Sequence, residues 1–126
     1  MSSQPYDHSD DFSTGLEDFN ASVLDASHRT PVLVDFWAAW CSPCHALAPH
    51  LLRVLSDYDG RLRLAKVEVD EGENMKLAGR YRVRGFPTVM LFCAGEEQGR
   101  FSGARASPQI RDWLAEHLPR CSNQTA

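Results

Sequence analysis

The residues best equipped for chemistry are two cysteines set two apart in Trp40-Cys41-Ser42-Pro43-Cys44. Cys-x-x-Cys spacing closes a ring small enough for the sulfurs to bond. The pair can therefore carry two electrons, as two thiols or as one disulfide. The attacking species in such exchange is the thiolate. An apolar run precedes the motif and a helical pattern follows it, which places Cys41 at a helix start. Unpaired backbone N–H groups there carry partial positive charge and lower a thiol pKa. Cys41 is thus the expected nucleophile. Cys44, one turn further in, is the expected thiol that resolves the mixed disulfide, and Pro43 restricts the loop between them.

The other reading of Cys-x-x-Cys is half of a zinc site, which needs two further ligands, usually another close pair. Cys93 and Cys121 have no cysteine two or three residues away, and His45 would point elsewhere on a helix. His8, His28, His50 and His117 show no ligand spacing. Redox chemistry is favoured by the strand-then-helix setting, and no metal is expected.

Asp35 interrupts the apolar run Val32-Leu33-Val34-Asp35-Phe36-Trp37. Inside a sheet its carboxyl would be desolvated and its pKa raised. Six residues before Cys41, it could lie beneath the active-site turn and accept the proton of Cys44 as a general base. The alternative is a strand-edge carboxylate facing water. Lys66, after Leu64-Ala65 in the next strand, could pair with Asp35 and adjust its pKa; an ordinary surface lysine is the alternative. Phe86-Pro87-Thr88 leads into a further apolar run, so Pro87 belongs at its first position, where no ladder donor is needed.

These residues need a frame. Val32 to Trp37 reads as a central strand covered on both faces. Pro43 to Tyr58 reads as a helix with Leu47, Leu51, Leu52 and Leu55 on one stripe and Asp59-Gly60 as its stop. Upstream, Thr14 and Glu17 have capping-box spacing and Asn20 is a second possible cap, for a short helix carrying Phe19, Val23 and Leu24 and ending before Pro31. Leu62 to Val69 is the next strand, Asp70 to Asn74 an acidic turn, and Met75 to Tyr81 a short helix. Thr88 to Phe92 and Gln98 to Ser102 are strands joined by a hairpin at Ala94-Gly95. Ser107 is a cap with Pro108 at the first helical position. Ile110, Trp113, Leu114 and His117 mark one face of that last helix, which Pro119 is expected to end. Residues 1–13 read as a flexible tail anchored only by Tyr6 and Phe12, residues 14–119 as one domain, and residues 120–126 as a second flexible tail. The fold class is α/β, a mixed sheet covered on both faces.

At 126 residues, 43% hydrophobic and 24% charged, the chain suits one soluble domain and not a disordered one. Its net charge of −4 argues against a nucleic-acid-binding module. No apolar run approaches a bilayer span, so no membrane association is expected. The polar, acidic first residues show no secretory or transit signal, and the expected compartment is the reducing cytoplasm. Four cysteines are too few for a secreted disulfide scaffold.

Together these motifs resemble the thioredoxin family. The resemblance rests on Val34-Asp35-Phe36-Trp37-Ala38, Trp40-Cys41-Ser42-Pro43-Cys44, Ala48-Pro49, Ala65-Lys66-Val67 with Asp70, Val83-Arg84-Gly85-Phe86-Pro87-Thr88, Leu91-Phe92, Gly95 and Gly103-Ala104. It spans roughly residues 18 to 118. It implies the thioredoxin fold, a central mixed sheet flanked by helices on both faces, with a cis Phe86-Pro87 bond facing the cysteines. It implies Cys41 as nucleophile, Cys44 as resolving thiol, Asp35 as buried proton acceptor and Lys66 as its modulator. It implies a substrate groove of Trp40, Ser42, Pro43, Gly85, Phe86, Pro87 and Gly103, where an extended client segment bonds the Phe86 backbone in short β-fashion. The implied activity is protein-disulfide reduction by a monomer, with no cofactor beyond the Cys41–Cys44 disulfide. Its partners would be disulfide-containing client proteins and a flavoprotein thioredoxin reductase that uses NADPH.

Three departures from the family pattern stand out. Ser42 replaces the usual glycine and His45 the usual lysine or arginine, and either could stabilise the Cys41 thiolate, giving a somewhat less reducing couple. The segment from Asp70 to Tyr81 is two residues longer than usual and lacks its proline. Cys93 is expected to be a passive thiol, with glutathionylation or dimer formation under oxidation as the alternative, and Cys121 a more exposed thiol of the same kind. A second reading is a client-binding module. Residues Ser27 to Trp37 look like the thioredoxin-like heads of certain co-chaperones, which normally continue into helical repeats. A thiol oxidase or isomerase would need an oxidising compartment.

Overall fold

The computed structural model of the chain describes residues 10–125. Five strands form one mixed sheet in the order β1-β3-β2-β4-β5. They are β1 (Asp11–Ser13), β2 (Val32–Trp37), β3 (Arg63–Glu68), β4 (Thr88–Cys93) and β5 (Glu96–Ser102). β1, β3 and β2 run parallel, and β4 and β5 are each antiparallel to their neighbour. The helices are α1 (Ser42–Leu55), α2 (Asn74–Arg80) and α3 (Ser107–Thr125).

The central place of β2 follows from its composition. All of Val32 to Phe36 is buried, because the strand has neighbours on both edges and cover on both faces. Alternation divides its side chains. Val32, Val34 and Phe36 pack with Phe19, Val23, Leu77, Ala78, Met90 and Phe92 on the α2 face. Leu33 packs with Leu47, Leu51, Val54, Leu91, Ile110 and Leu114 under α1 and α3. Asp35 shares the parity of Leu33 and interrupts that second layer.

The N-terminal boundary differs from the sequence reading. Asp11, Phe12 and Ser13 are not tail but an edge strand, registered on Leu64, Ala65 and Lys66 of β3. Three residues are too few to show a strand period. Phe12 packs on the α2-face core, and the Arg63 guanidinium lies 4.4 Å from its ring centroid. The rest of the expected N-terminal tail, residues 1–9, lies outside the described residues, as does Ala126.

The turn after β1 is closed by Asp18 and not by Glu17. Its carboxylate accepts from the Thr14 hydroxyl at 2.8 Å and the Gly15 amide at 2.9 Å. Those bonds, the Gly15 amide first, hold its pKa below the ordinary carboxylate value. The helix expected there is a π-helical stretch, Asn20–Asp25, running into a 3-10 turn, Ala26–His28; Asn20 does not cap it.

The C-terminal boundary also differs. α3 runs through Pro119 to Thr125, and Cys121 is buried rather than exposed. A proline inside a helix removes one backbone bond and crowds the preceding turn. Here tertiary anchoring outweighs that cost. Cys121 is disulfide-bonded to Cys93 at the end of β4, with Cα atoms 5.4 Å apart, within the ordinary span of such bridges. Both sit in the α1/α3-face core, against which Leu118 packs. Neither is the passive or exposed thiol expected from sequence. One turn earlier, the His117 ring stacks on Trp113 at 4.5 Å. It crosses Gly99 of β5, where an added Cβ would collide with it.

Closing a loop across the 28-residue separation of Cys93 and Cys121 should contribute roughly 3–4 kcal/mol through the unfolded state. A Cys93→Ala/Cys121→Ala variant is expected to unfold at lower denaturant than the oxidised protein by that amount. Non-reducing peptide mapping should recover the Cys93 and Cys121 peptides linked.

Candidate active site

β2 ends at Trp37 and α1 begins at Ser42, so the connecting turn sits where one end of the sheet meets the first turn of α1. Cys41 is the residue that caps α1, in extended conformation (φ −94°, ψ 104°). Its sulfur accepts the Cys44 amide at 3.2 Å, and its carbonyl accepts the amides of Cys44 and His45. One otherwise unpaired N–H group of α1, that of Cys44, is thereby directed at the Cys41 sulfur. Cys41 and Cys44 are disulfide-bonded, with Cα atoms 5.3 Å apart. In this oxidised state they are 4% and 2% exposed, so the two cysteines differ little in accessibility. Ser42 is exposed and bonds to neither sulfur. The His45 ring bonds the Ala39 carbonyl at 2.7 Å and meets Trp37 edge-on, which ties it to the turn rather than to a sulfur.

Asp35 is buried at 4% exposure, and its Oδ1 has no hydrogen-bond partner. Burial pushes its pKa up to about 7, and the charge of Lys66 opposes that shift without cancelling it. It is therefore not a strand-edge carboxylate facing water. Lys66 is its register neighbour on β3, yet the ammonium does not pair with it directly. Lys66 Nζ lies 3.2 Å from a carboxylate oxygen of Asp11 on β1. From sequence, Lys66 is either a partner of Asp35 or an ordinary surface lysine; the residue it pairs with, Asp11, falls in the stretch that reads as a tail.

The remaining expected residues gather at the same end of the sheet. The Phe86-Pro87 bond is cis. The Pro87 carbonyl accepts the Gly103 amide at 2.9 Å, and the Thr88 hydroxyl donates to the Gly85 carbonyl at 2.7 Å. Gly103, at φ +86°, makes the turn that brings its amide to Pro87, a conformation costly for a side-chain-bearing residue. Trp40 is 66% exposed and meets the Phe86 ring edge-on at 6.1 Å. Its indole N–H donates to Asp70 at 2.6 Å. Asp70 was not among the site residues expected from sequence. The available signal was its place just past β3, a parallel strand whose C-terminal end lies at the same edge as the cysteines.

The match to a known family follows this geometry. The thioredoxin family model covers residues 12–116. The chain is 41% identical over 102 residues to a thioredoxin of Acidithiobacillus ferridurans, covering 81% of this chain and 91% of that protein. It is 43% identical over 100 residues to a thioredoxin of Pseudomonas aeruginosa, covering 79% and 89%. Thioredoxin 1 of Nostoc sp. matches at 38% over 100 residues, with 79% and 90% covered.

The chain belongs to the thioredoxin family. It has the thioredoxin fold and is a thiol–disulfide oxidoreductase that works by dithiol–disulfide exchange through Cys41 and Cys44. A client-binding module is not the favoured reading. Among the described residues no cluster of His, Cys, Asp or Glu could hold a metal ion, and no helix is long and apolar enough to cross a membrane.

The raised pKa of Asp35 carries a stability signature. A group that binds its proton more tightly folded than unfolded contributes most below its unfolded pKa, near 3.8, and that contribution is lost as pH rises through about 7. Above pH 7 the ionised carboxylate opposes folding by on the order of 4 kcal/mol at most. Asp35→Asn is therefore expected to be more stable than the parent at pH 8, with the gain shrinking towards pH 4 in denaturant titrations.

Proposed function

We propose that this thioredoxin-family protein is a general protein-disulfide reductase in which Cys41 attacks, Cys44 resolves and Asp35 moves the proton. The observation that carries this reading is the bonded pair at the start of α1 with a buried, elevated-pKa carboxyl six residues upstream on β2. In the reduced protein the Cys41 thiolate attacks one sulfur of a client disulfide. A mixed disulfide forms and the other client sulfur leaves as a thiolate. Cys44 then gives its thiol proton to the Asp35 carboxylate, and the resulting thiolate attacks Cys41. The Cys41–Cys44 bond forms, and the second client sulfur leaves as a thiolate that takes up a proton. Two electrons have passed to the client. A flavoprotein thioredoxin reductase returns two electrons from NADPH to the pair.

Lys66 modulates Asp35 through its charge. Trp40, Ser42, Pro43, Gly85, Phe86, Pro87 and Gly103 form the client groove, with the Phe86 backbone available to a segment docked in extended form. The exposed Trp40 face and its contact with Phe86 support that placement. The protein acts as a monomer on proteins rather than on nucleic acid or membranes, in the cytoplasm, where the pair is kept reduced.

Reduction of insulin by the full chain, with NADPH and a bacterial thioredoxin reductase, tests this reading. Turnover is expected for the parent. Cys41→Ser should fall to the uncatalysed background, and Cys44→Ser should accumulate a mixed disulfide with the client. Continued turnover by Cys41→Ser would overturn the assignment. Equilibration of the pair against glutathione should give a potential less negative than the roughly −270 mV of ordinary thioredoxin, because on reduction the exposed Ser42 hydroxyl, bonded to neither sulfur in the disulfide form, can turn to donate to the Cys41 thiolate.

A further inference from the structure

Three charged side chains lie in a row across one face of the sheet. β1 contributes Asp11, β3 Lys66 and β2 Asp35. The register sets this row: Asp11 is opposite Leu64, one residue pair before Lys66, and Lys66 is opposite Asp35. Side chains at Asp11, Leu64, Lys66 and Asp35 share one face, while Phe12, Ala65 and Val34 take the other.

The ammonium in the middle is not shared equally. Lys66 Nζ is 3.2 Å from Asp11 Oδ2 and forms no direct ion pair with Asp35. The Asp11 side chain is only 9% exposed, so this contact is more sheltered than an ordinary surface salt bridge. Asp35, by contrast, keeps Oδ1 without a hydrogen bond. Among the described residues, the other elements around Asp35 do not supply an alternative cation. β4 sets apolar Val89 opposite it, α3 contributes Ile110 and Leu114 to that layer, β3 continues to Glu68, and the start of α1 carries the cap Cys41, then Cys44 and His45, whose ring is tied to the Ala39 carbonyl.

We propose that Asp11 is a positioning residue for the exchange reaction, holding the Lys66 ammonium on the outer side of β3 so that it does not pair directly with Asp35. This rests on the reading of Asp35 as proton acceptor and deepens it. A lysine bonded directly to Asp35 would stabilise the carboxylate and weaken it as a base towards Cys44. A lysine drawn to Asp11 leaves Asp35 ready to bind a proton near neutral pH, when the mixed disulfide is resolved. The edge strand thereby sets the acid–base behaviour of a group two strands away, although Asp11 touches neither client nor sulfur.

The test follows the titration of the Asp35 carboxyl by carbon NMR in the full chain. In parallel, it follows the pH profile of Cys44 attack on a preformed Cys41 mixed disulfide. In Asp11→Asn both are expected to move to lower pH, by about one unit. Asp11→Glu should stay near the parent. Lys66→Met should move both upward, and adding Asp11→Asn to Lys66→Met should change little, because the mediator is gone. An unmoved Asp35 titration in a folded Asp11→Asn protein overturns the inference alone. So does a downward shift of the same size in the Lys66→Met background, which would mean direct action of Asp11. A titration that moves while the resolving-step profile stays fixed overturns the proton-acceptor reading itself, and the role of Asp11 with it.

Discussion

A carboxyl group held inside an apolar sheet is the constraint on which the rest of the site depends. Asp35 takes the place in β2 that an aliphatic side chain would fill, between Leu33 and the end of the strand. Burying it ionised costs far more than burying it protonated, so the fold sets its proton affinity near neutrality simply by covering it. That cover requires β2 to be central, with β3 and β4 on its edges and α1 and α3 packed above. The same arrangement delivers the chain from the end of β2 into α1, so the cysteines open a helix six residues after the carboxyl.

Both ends of the sheet carry paired sulfurs, and their settings differ. Cys41 and Cys44 occupy a turn beside an exposed tryptophan and the loop containing the cis proline. Cys93 and Cys121 join the end of β4 to the last turns of α3 and belong to the α1/α3-face core. β4 starts after the cis-proline loop that meets Trp40 and ends at the second pair, so about 17 Å of strand lies between that loop and Cys93. One pair is placed for exchange with a partner. The other fastens a helix that a proline would otherwise be expected to end.

Much of the fold was legible because its signals are local. The apolar run of β2, the leucine stripe of α1, the Ala94-Gly95 hairpin and the Ser107-Pro108 helix start all depend on neighbouring residues. The misplaced boundaries have a common cause. β1 is three residues long, the helix expected around Phe19 is a π-helical stretch, and α3 passes through Pro119. In each, packing or pairing with distant residues outweighs local preference, and a linear reading has no access to it.

For the site the division is equally physical. Sequence alone determined which groups could do chemistry: two sulfurs at disulfide spacing, a carboxylate within an apolar strand, a proline at the head of another. Those properties belong to residue types and short spacings. Only the tertiary structure decided which partner Lys66 takes, that Asp70 receives the Trp40 indole, and that Cys93 and Cys121 meet. Each is a contact between elements far apart in the chain, set by strand register and helix docking, and no local pattern encodes it.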